Sequence, residues 1–270
     1  MELIDTHCHI QSVGQTEGED NTVLLWQRLG SGPEAVIKAA ESSHVKQMVC
    51  VGCDVEDSKL AIAFAGRHNQ CHASIGIHPH EAKRYVNNYS ALDEFKRLSA
   101  GPKVVAIGEC GLDYFYDHSK PSDQLDMLKF QLDLAVETGL PVIFHVRQAF
   151  DDFWPVFDAY EGSIKGVLHS FTDSKANLEA ALERGLLIGV NGIATFAKDP
   201  AHLDVYKAIP LDSLLLETDS PYLTPTPFRG NINEPKHVLT VAEFLARLRG
   251  EELEELAKRT TATARLLFGL

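Results

Sequence analysis

The run Leu214-Leu215-Leu216-Glu217-Thr218-Asp219, three apolar residues giving way to two carboxylates, decides how this chain is to be folded. The chain opens on the same pattern, with Leu3-Ile4 leading into Asp5-Thr6-His7-Cys8-His9. Short apolar, β-branched runs of this kind recur at 2–6, 47–51, 73–77, 104–107, 141–144, 166–168, 186–190 and 214–216, which makes eight candidate strands. Segments with apolar residues at helical spacing lie between them, such as those at 33–44, 58–68, 90–98, 124–138 and 178–184. Strand and helix therefore alternate, and near-continuous apolar strands imply a parallel sheet covered by helices. Eight repeats close a barrel; an open doubly wound sheet is the competing arrangement. The strand ends separate the two, because they carry Asp5-Thr6-His7, His78, Glu109, His145, His169, Asn191 and Glu217-Thr218-Asp219. In a barrel these groups converge at the C-terminal mouth, whereas an open sheet spreads them along a line. The expectation is one α/β domain over residues 1–270, a (β/α)8 TIM barrel with a metal site at its C-terminal mouth. The tail 235–267 reads as two helices divided at Gly250, one of them additional to the barrel. The segment from Gln11 to Gly32, Gly-rich and carrying Glu17, Glu19 and Asp20, reads as an irregular loop overhanging the mouth.

A chain of 270 residues, 44% hydrophobic and 23% charged, can bury the core of such a barrel. No apolar run approaches the roughly 20 residues that span a bilayer, so no membrane partner is expected. The first strand begins at Glu2, which leaves no space for an export signal and makes the cytoplasm the expected compartment. Five scattered cysteines suit reduced, packing thiols better than a disulfide framework. The Cys50-Val51-Gly52-Cys53 spacing, three apart on a strand, sends its two thiols to opposite faces. A formal charge of −13 argues against broad electrostatic attraction to nucleic acid. It does not exclude a nuclease, because divalent cations invert the field inside a site whatever the charge outside.

His7 and His9, two apart at a strand end, point to the same side and can chelate one cation. Glu109, His145, His169 and Asp219 stand at the ends of other strands, and such a cluster of buried imidazoles and carboxylates is unsatisfied without a cation. Six donors exceed what one catalytic zinc needs, so two divalent ions are expected, Mg²⁺ or Mn²⁺ with Zn²⁺ as the alternative. Glu109 is the candidate bridge, with His7, His9 and Asp219 on one ion and His145 and His169 on the other. Two such ions activate water and clamp the oxygens of a displaced phosphate, and Asp219 is placed to accept the proton of the water. Glu109 and Asp219 are therefore the candidate catalytic residues.

These residues resemble the TatD-type metal-dependent deoxyribonucleases, within the wider amidohydrolase-like barrels. The resemblance covers nearly the whole chain. It is carried by Asp5-Thr6-His7-Cys8-His9, Gly76-Ile77-His78-Pro79-His80 and Ala106-Ile107-Gly108-Glu109-Cys110-Gly111-Leu112-Asp113-Tyr114. It continues through Phe144-His145-Val146-Arg147, His169-Ser170-Phe171-Thr172 and Leu216-Glu217-Thr218-Asp219-Ser220-Pro221-Tyr222-Leu223, with Arg229-Gly230-Asn231 and Asn233-Glu234-Pro235 behind. The resemblance implies that the six donors are the metal ligands. It also implies metal-dependent hydrolysis of phosphodiesters, with nucleotides removed from the 3′ ends of nucleic acid. Two departures, Asp173 where Gly is common and the long segment from Gln11 to Gly32, bear on substrate choice.

Around this set, His78 and His80 flank Pro79 where they can meet a substrate phosphate, or can form only a rigid polar turn. Arg147 shares the face of His145 and is a candidate phosphate contact, or equally an ion pair that orients a metal-bound carboxylate. Arg229 follows Pro225-Thr226-Pro227 in a stiff loop and is a second one, with a salt bridge to Glu217 or Glu234 as the structural alternative. Tyr114, Phe115 and Tyr116 can stack on a base or simply pack the rim. Glu17, Glu19 and Asp20 repel a polyanion and favour single-stranded or short ends over duplex. The competing functions are hydrolysis of an ester or amide, such as a D-aminoacyl-tRNA or a small molecule, and a silent metal-binding scaffold.

Overall fold

A computed structural model describes residues 1–17 and 20–270. Eight parallel strands lie in strict sequence order, β1 (Leu3–Cys8), β2 (Val45–Val51), β3 (Cys71–Ile75), β4 (Val104–Asp113), β5 (Val142–Arg147), β6 (Gly166–Leu168), β7 (Leu187–Val190) and β8 (Leu214–Leu216). The circle closes between β8 and β1 through a bridge from Cys8 to Ser220, with Asp219 N–H donating to His7 O (2.8 Å) and His9 N–H to Ser220 O (2.8 Å). The seam is also pinned by Asp5, whose buried carboxylate accepts from the backbone N–H and the hydroxyl of Thr218. The expected (β/α)8 TIM barrel is the observed fold.

Residues from six strands, Ile4, Val49, Val51, Ala106, Ile143, Val167 and Leu215, share one buried cluster with Ala264 and Phe268. Side chains drawn from all round a closed sheet meet only on its axis, so this cluster fills the barrel interior. Ala264 and Phe268 belong to the last helix, α10 (Leu253–Phe268), which is bound to the start of β1 by Thr261 to Glu2 O (2.9 Å) and Arg265 to Glu2 (2.9 Å). This additional helix therefore plugs the N-terminal end, and burying Phe268 there contributes about 1.5–3 kcal/mol. The larger cluster lies between sheet and helices. Its helices are α2 (Pro33–Ser42), α3 (Val55–Arg67), α4 (Tyr89–Leu98), α5 (Pro121–Thr138), α7 (Lys175–Glu183) and α9 (Val238–Arg249), together with three further ones.

Those three, α1 (Asn21–Leu29), α6 (Phe150–Asp158) and α8 (Pro200–Ala208), go beyond the helical segments expected from sequence. The segment from Gln11 to Gly32 is thus not wholly irregular. Asp20 caps α1 by accepting from Thr22 N–H (2.7 Å), Gly30 ends it at φ 72°, and Trp26 is buried with its indole N–H on His9 O (2.9 Å). β4 runs to Asp113, past the expected 104–107, because Gly111 and Asp113 continue the pairing with His145 and Arg147. Among the described residues no helix is long and apolar enough to cross a membrane.

Candidate metal centre

The C-terminal ends of β1, β4, β5 and the turns after β6 and β8 bring His7, His9, Glu109, His145, His169 and Asp219 together. His7 is fully buried and stacks on His169 with ring centroids 3.5 Å apart. Its Nε2 lies 3.4 Å from Glu109 Oε2 and 3.6 Å from Asp219 Oδ1, yet neither of its ring nitrogens has a hydrogen-bond partner. His9 donates from Nδ1 to Val51 O (2.9 Å), since a carbonyl only accepts. In the neutral ring the lone pair is then on Nε2, 3.2 Å from Asp219 Oδ1; burial opposes charging this ring, but Cys53 and Asp219 hold it well above the usual imidazole range.

Glu109 divides its two oxygens. Oε2 faces His7, whereas Oε1 faces His145 Nδ1 at 2.8 Å, His78 Nε2 at 3.7 Å and His169 Nε2 at 3.8 Å. Small residues clear the space this requires: a Cβ at Gly111 would fall 1.9 Å from His145 O, and one at Gly189 2.4 Å from Glu217 Oε2. Asp219 (φ 58°) and Ser170 (φ 50°) hold left-handed backbone, each at a cost of about 1–3 kcal/mol that the surrounding bonds must offset.

Two carboxylates that spacing does not single out stand behind the imidazoles. Asp113 Oδ2 lies 3.0 Å from His145 Nε2 and 2.9 Å from His80 Nε2, while its Oδ1 accepts from the N–H groups of Phe115 and Tyr116. Glu217 Oε1 accepts from Ser170 N–H (2.7 Å) and lies 3.0 Å from His169 Nδ1, off the line of a hydrogen bond. Cys53 Sγ, 3.9 Å from both His9 Nδ1 and Glu109 Oε2, also belongs to the rim, while Cys50 is buried in the outer core, so the two thiols do part.

The electrostatics follow from this crowding. Burial opposes a charged Glu109, but the rings of His78, His7 and His169 and the His145 hydrogen bond hold its carboxyl well below the usual range. Burial likewise opposes charging His145, yet its bonds to Asp113 and Glu109 raise it to about 9. His169 is raised to about 9 against burial by Glu217 and Glu109. Burial lowers His7, and His169 lowers it further. The cluster collects positive charge around its carboxylates and still leaves His7 unpaired. A buried polar group without a partner costs about 1–3 kcal/mol, which a bound cation removes, so this donor set fits a metal. His7 with His9 and Glu109, His7 with His169 and Asp219, and His78 with Glu109 and His145 each offer three converging donor atoms.

His78 accepts from His80 N–H at Nδ1 (3.2 Å), so Nε2 bears its proton and faces the site. His80 has its Nε2 committed to Asp113. Arg147 stacks over Phe115 (3.9 Å to the ring centroid) and Tyr116 (5.0 Å) at the exposed rim. Arg229 stacks over Phe196 (3.9 Å) and donates to Thr224 O, away from Glu217, while Glu234 pairs with Lys236. Tyr114 donates its hydroxyl to Asp152 (2.7 Å). Of the acidic residues in the long segment, Glu17 is exposed, Asp20 caps α1 and Glu19 lies outside the described residues.

Comparison with known proteins gives the family and agrees with the barrel fold. The family described as TatD related DNase matches over residues 4–269. A protein of Erwinia amylovora named 3'-5' ssDNA/RNA exonuclease TatD is 38% identical over 244 residues, 88% of this chain and 93% of its own. The metal-dependent hydrolase YabD of Bacillus subtilis, described as uncharacterized, is 36% identical over 268 residues, 98% of each chain. The crystal structure of YjjV, a TatD homolog from Escherichia coli, superposes with a TM-score of 0.86 at 29% identity, covering 99% of this chain and 98% of that one.

Proposed function

Because this chain belongs to the TatD-related DNase family, we propose that it is a divalent-metal-dependent exonuclease that removes nucleotides from the 3′ ends of single-stranded DNA or RNA. The observation that carries the reading is the division of Glu109, one oxygen toward His7 and the other toward His145 and His169. Glu109 would be shared between two ions, with His7, His9 and Asp219 holding one and His145 and His169 holding the other. Mg²⁺ or Mn²⁺ is the proposed pair, with Zn²⁺ as the alternative that imidazole donors also suit. Such ions, when bound, lower the pKa of water and offset the charge of a phosphodiester.

The chain's own groups do the rest. Asp219 has the most exposed carboxylate of the cluster, 16% against 6% for Glu109 and 1% for Asp113 and Glu217, so it is the one that can meet water and take its proton. His78 presents an Nε2–H for a substrate phosphate oxygen. Arg147 and Arg229, exposed and stacked on aromatic rings, are proposed to hold phosphates further along the strand, while His80 steadies Asp113 and reaches substrate only with its other edge. The five cysteines are free, in keeping with a cytoplasmic site of action.

Digestion of end-labelled single-stranded DNA and RNA with Mg²⁺, Mn²⁺ or Zn²⁺ tests the reading. Stepwise loss of mononucleotides from the 3′ end is expected. Intact strands together with hydrolysis of a D-aminoacyl ester would replace it with the aminoacyl-ester alternative.

A further inference from the structure

Beside the metal centre, between the turns that follow β5 and β6, lies a cavity of about 290 Å³. That is about ten water volumes, enough for a purine ring. His169 lines this cavity and also belongs to the metal-competent clusters, so a ligand seated here adjoins the reacting position. Phe150 and Phe171, with Phe115 at the lip, form the aromatic part of its wall, and Arg147, Gln148, Thr172 and Asp173 form a polar part. Phe115 is half-exposed, with the Arg147 guanidinium 3.9 Å from its ring centroid. Planar, partly charged surfaces of this kind take nucleobases by stacking.

Asp173 is the carboxylate among the residues that line the cavity. Its Oδ1 accepts from Ser174 N–H (2.7 Å) and from Asn177 Nδ2 (2.6 Å), and Asn177 is itself held by Trp154 Nε1 on its Oδ1 (3.0 Å). The carboxylate is thus oriented by neighbours on two helices. Among the described residues, Oδ2 accepts no hydrogen bond. A fixed acceptor in the wall of a cavity that also presents aromatic rings recognises a base through an N–H donor. Adenine, cytosine and guanine each offer an exocyclic amino group. The N3–H of thymine or uracil sits between two carbonyl oxygens, which a carboxylate repels.

We propose that this cavity receives the 3′-terminal base and that Asp173 selects ends carrying an amino-bearing base over thymine or uracil. The inference rests on the reading of the metal centre as a nuclease. The test uses the metal-loaded enzyme and oligonucleotides that differ only at the 3′ terminus, ending in dA, dC, dG, dT or an abasic sugar. With wild-type protein, kcat/KM for dA, dC and dG exceeds that for dT by about tenfold, as one hydrogen bond to a charged acceptor allows. The abasic end falls below dA, dC and dG, and dAMP inhibits at lower concentration than dTMP. Asp173→Asn is the decisive variant. Its oxygen is kept by Ser174 and Asn177, so its NH2 replaces Oδ2 and faces the base as a donor. The preference over dT is then lost, because every base offers this donor an acceptor: the carbonyls of dT, O2 of dC, O6 of dG and a ring nitrogen of dA. Release of all ends at equal rates by both proteins would overturn the base pocket while leaving the nuclease reading intact. If no oligonucleotide is cut, the nuclease reading fails and this inference falls with it.

Discussion

Replacing Asp113 with Asn tests the carboxylate behind His145 in a way that alanine does not. Oδ1 of Asp113 accepts the N–H groups of Phe115 and Tyr116 at 2.9 and 3.1 Å, so an asparagine keeps its oxygen there and puts its NH2 where Oδ2 was. That position faces His145 Nε2 at 3.0 Å and His80 Nε2 at 2.9 Å. A donor would then confront two donors. His145 relieves this by shifting its proton to Nδ1, the nitrogen 2.8 Å from Glu109 Oε1, and a protonated Nδ1 has no lone pair for a cation. Removing the carboxylate behind a metal-binding His costs about 10–100-fold in metal affinity. A change of tautomer puts this case at the upper end, about 2.7 kcal/mol. Calorimetric titration with Mn²⁺ measures it directly. One of the two ions should weaken about 100-fold in Asp113→Asn, while the ion assigned to His7, His9 and Asp219 changes far less. Affinities equal to wild type for both ions would refute the argument.

Glu109→Ala should abolish turnover and leave the circular dichroism spectrum unchanged, since the residue stands at the mouth and outside the packed interior; near-normal activity at saturating Mg²⁺ would remove the bridging role. Chelation should lower the melting temperature, because the ions relieve the unpaired His7. At one hundredfold the dissociation constant an ion adds about 2.7 kcal/mol, which for a chain of this size is about 5–11 °C, and an unchanged melting curve would contradict the fit of the site to metal. Arg229→Ala should raise KM more than it lowers kcat, as expected of a phosphate contact away from the reacting bond. An unchanged KM would leave its guanidinium a packing role on Phe196.

The barrel was legible because its strands are short, continuous and apolar, and because a polar donor follows nearly every one. That His7, His9, Glu109, His145, His169 and Asp219 meet at one mouth was legible for the same reason: position at a strand end is a property of the sequence itself. Helix α1 was hidden by Gly14, Gly18, Gly30 and Gly32, although Asp20 and Gly30 are its start and stop. Pro155 obscured α6, which is only nine residues long. Asp113 and Glu217 escaped for a different reason. An orienting carboxylate is defined by the ring it holds, and those rings are 32 and 48 residues away in sequence, so no local spacing marks them. Cys53 was assigned correctly to the face opposite Cys50, but its approach to Glu109 depends on how the β2 and β4 ends meet across the mouth.

The account turns on two ions sharing Glu109, and a metal titration of the wild-type chain, followed by native mass spectrometry and by single-stranded 3′-end release in the same samples, tests it most directly. Two divalent ions per chain are expected, with release of nucleotides rising as the second ion fills. Full release with one ion per chain, or two bound ions with no release, would contradict it.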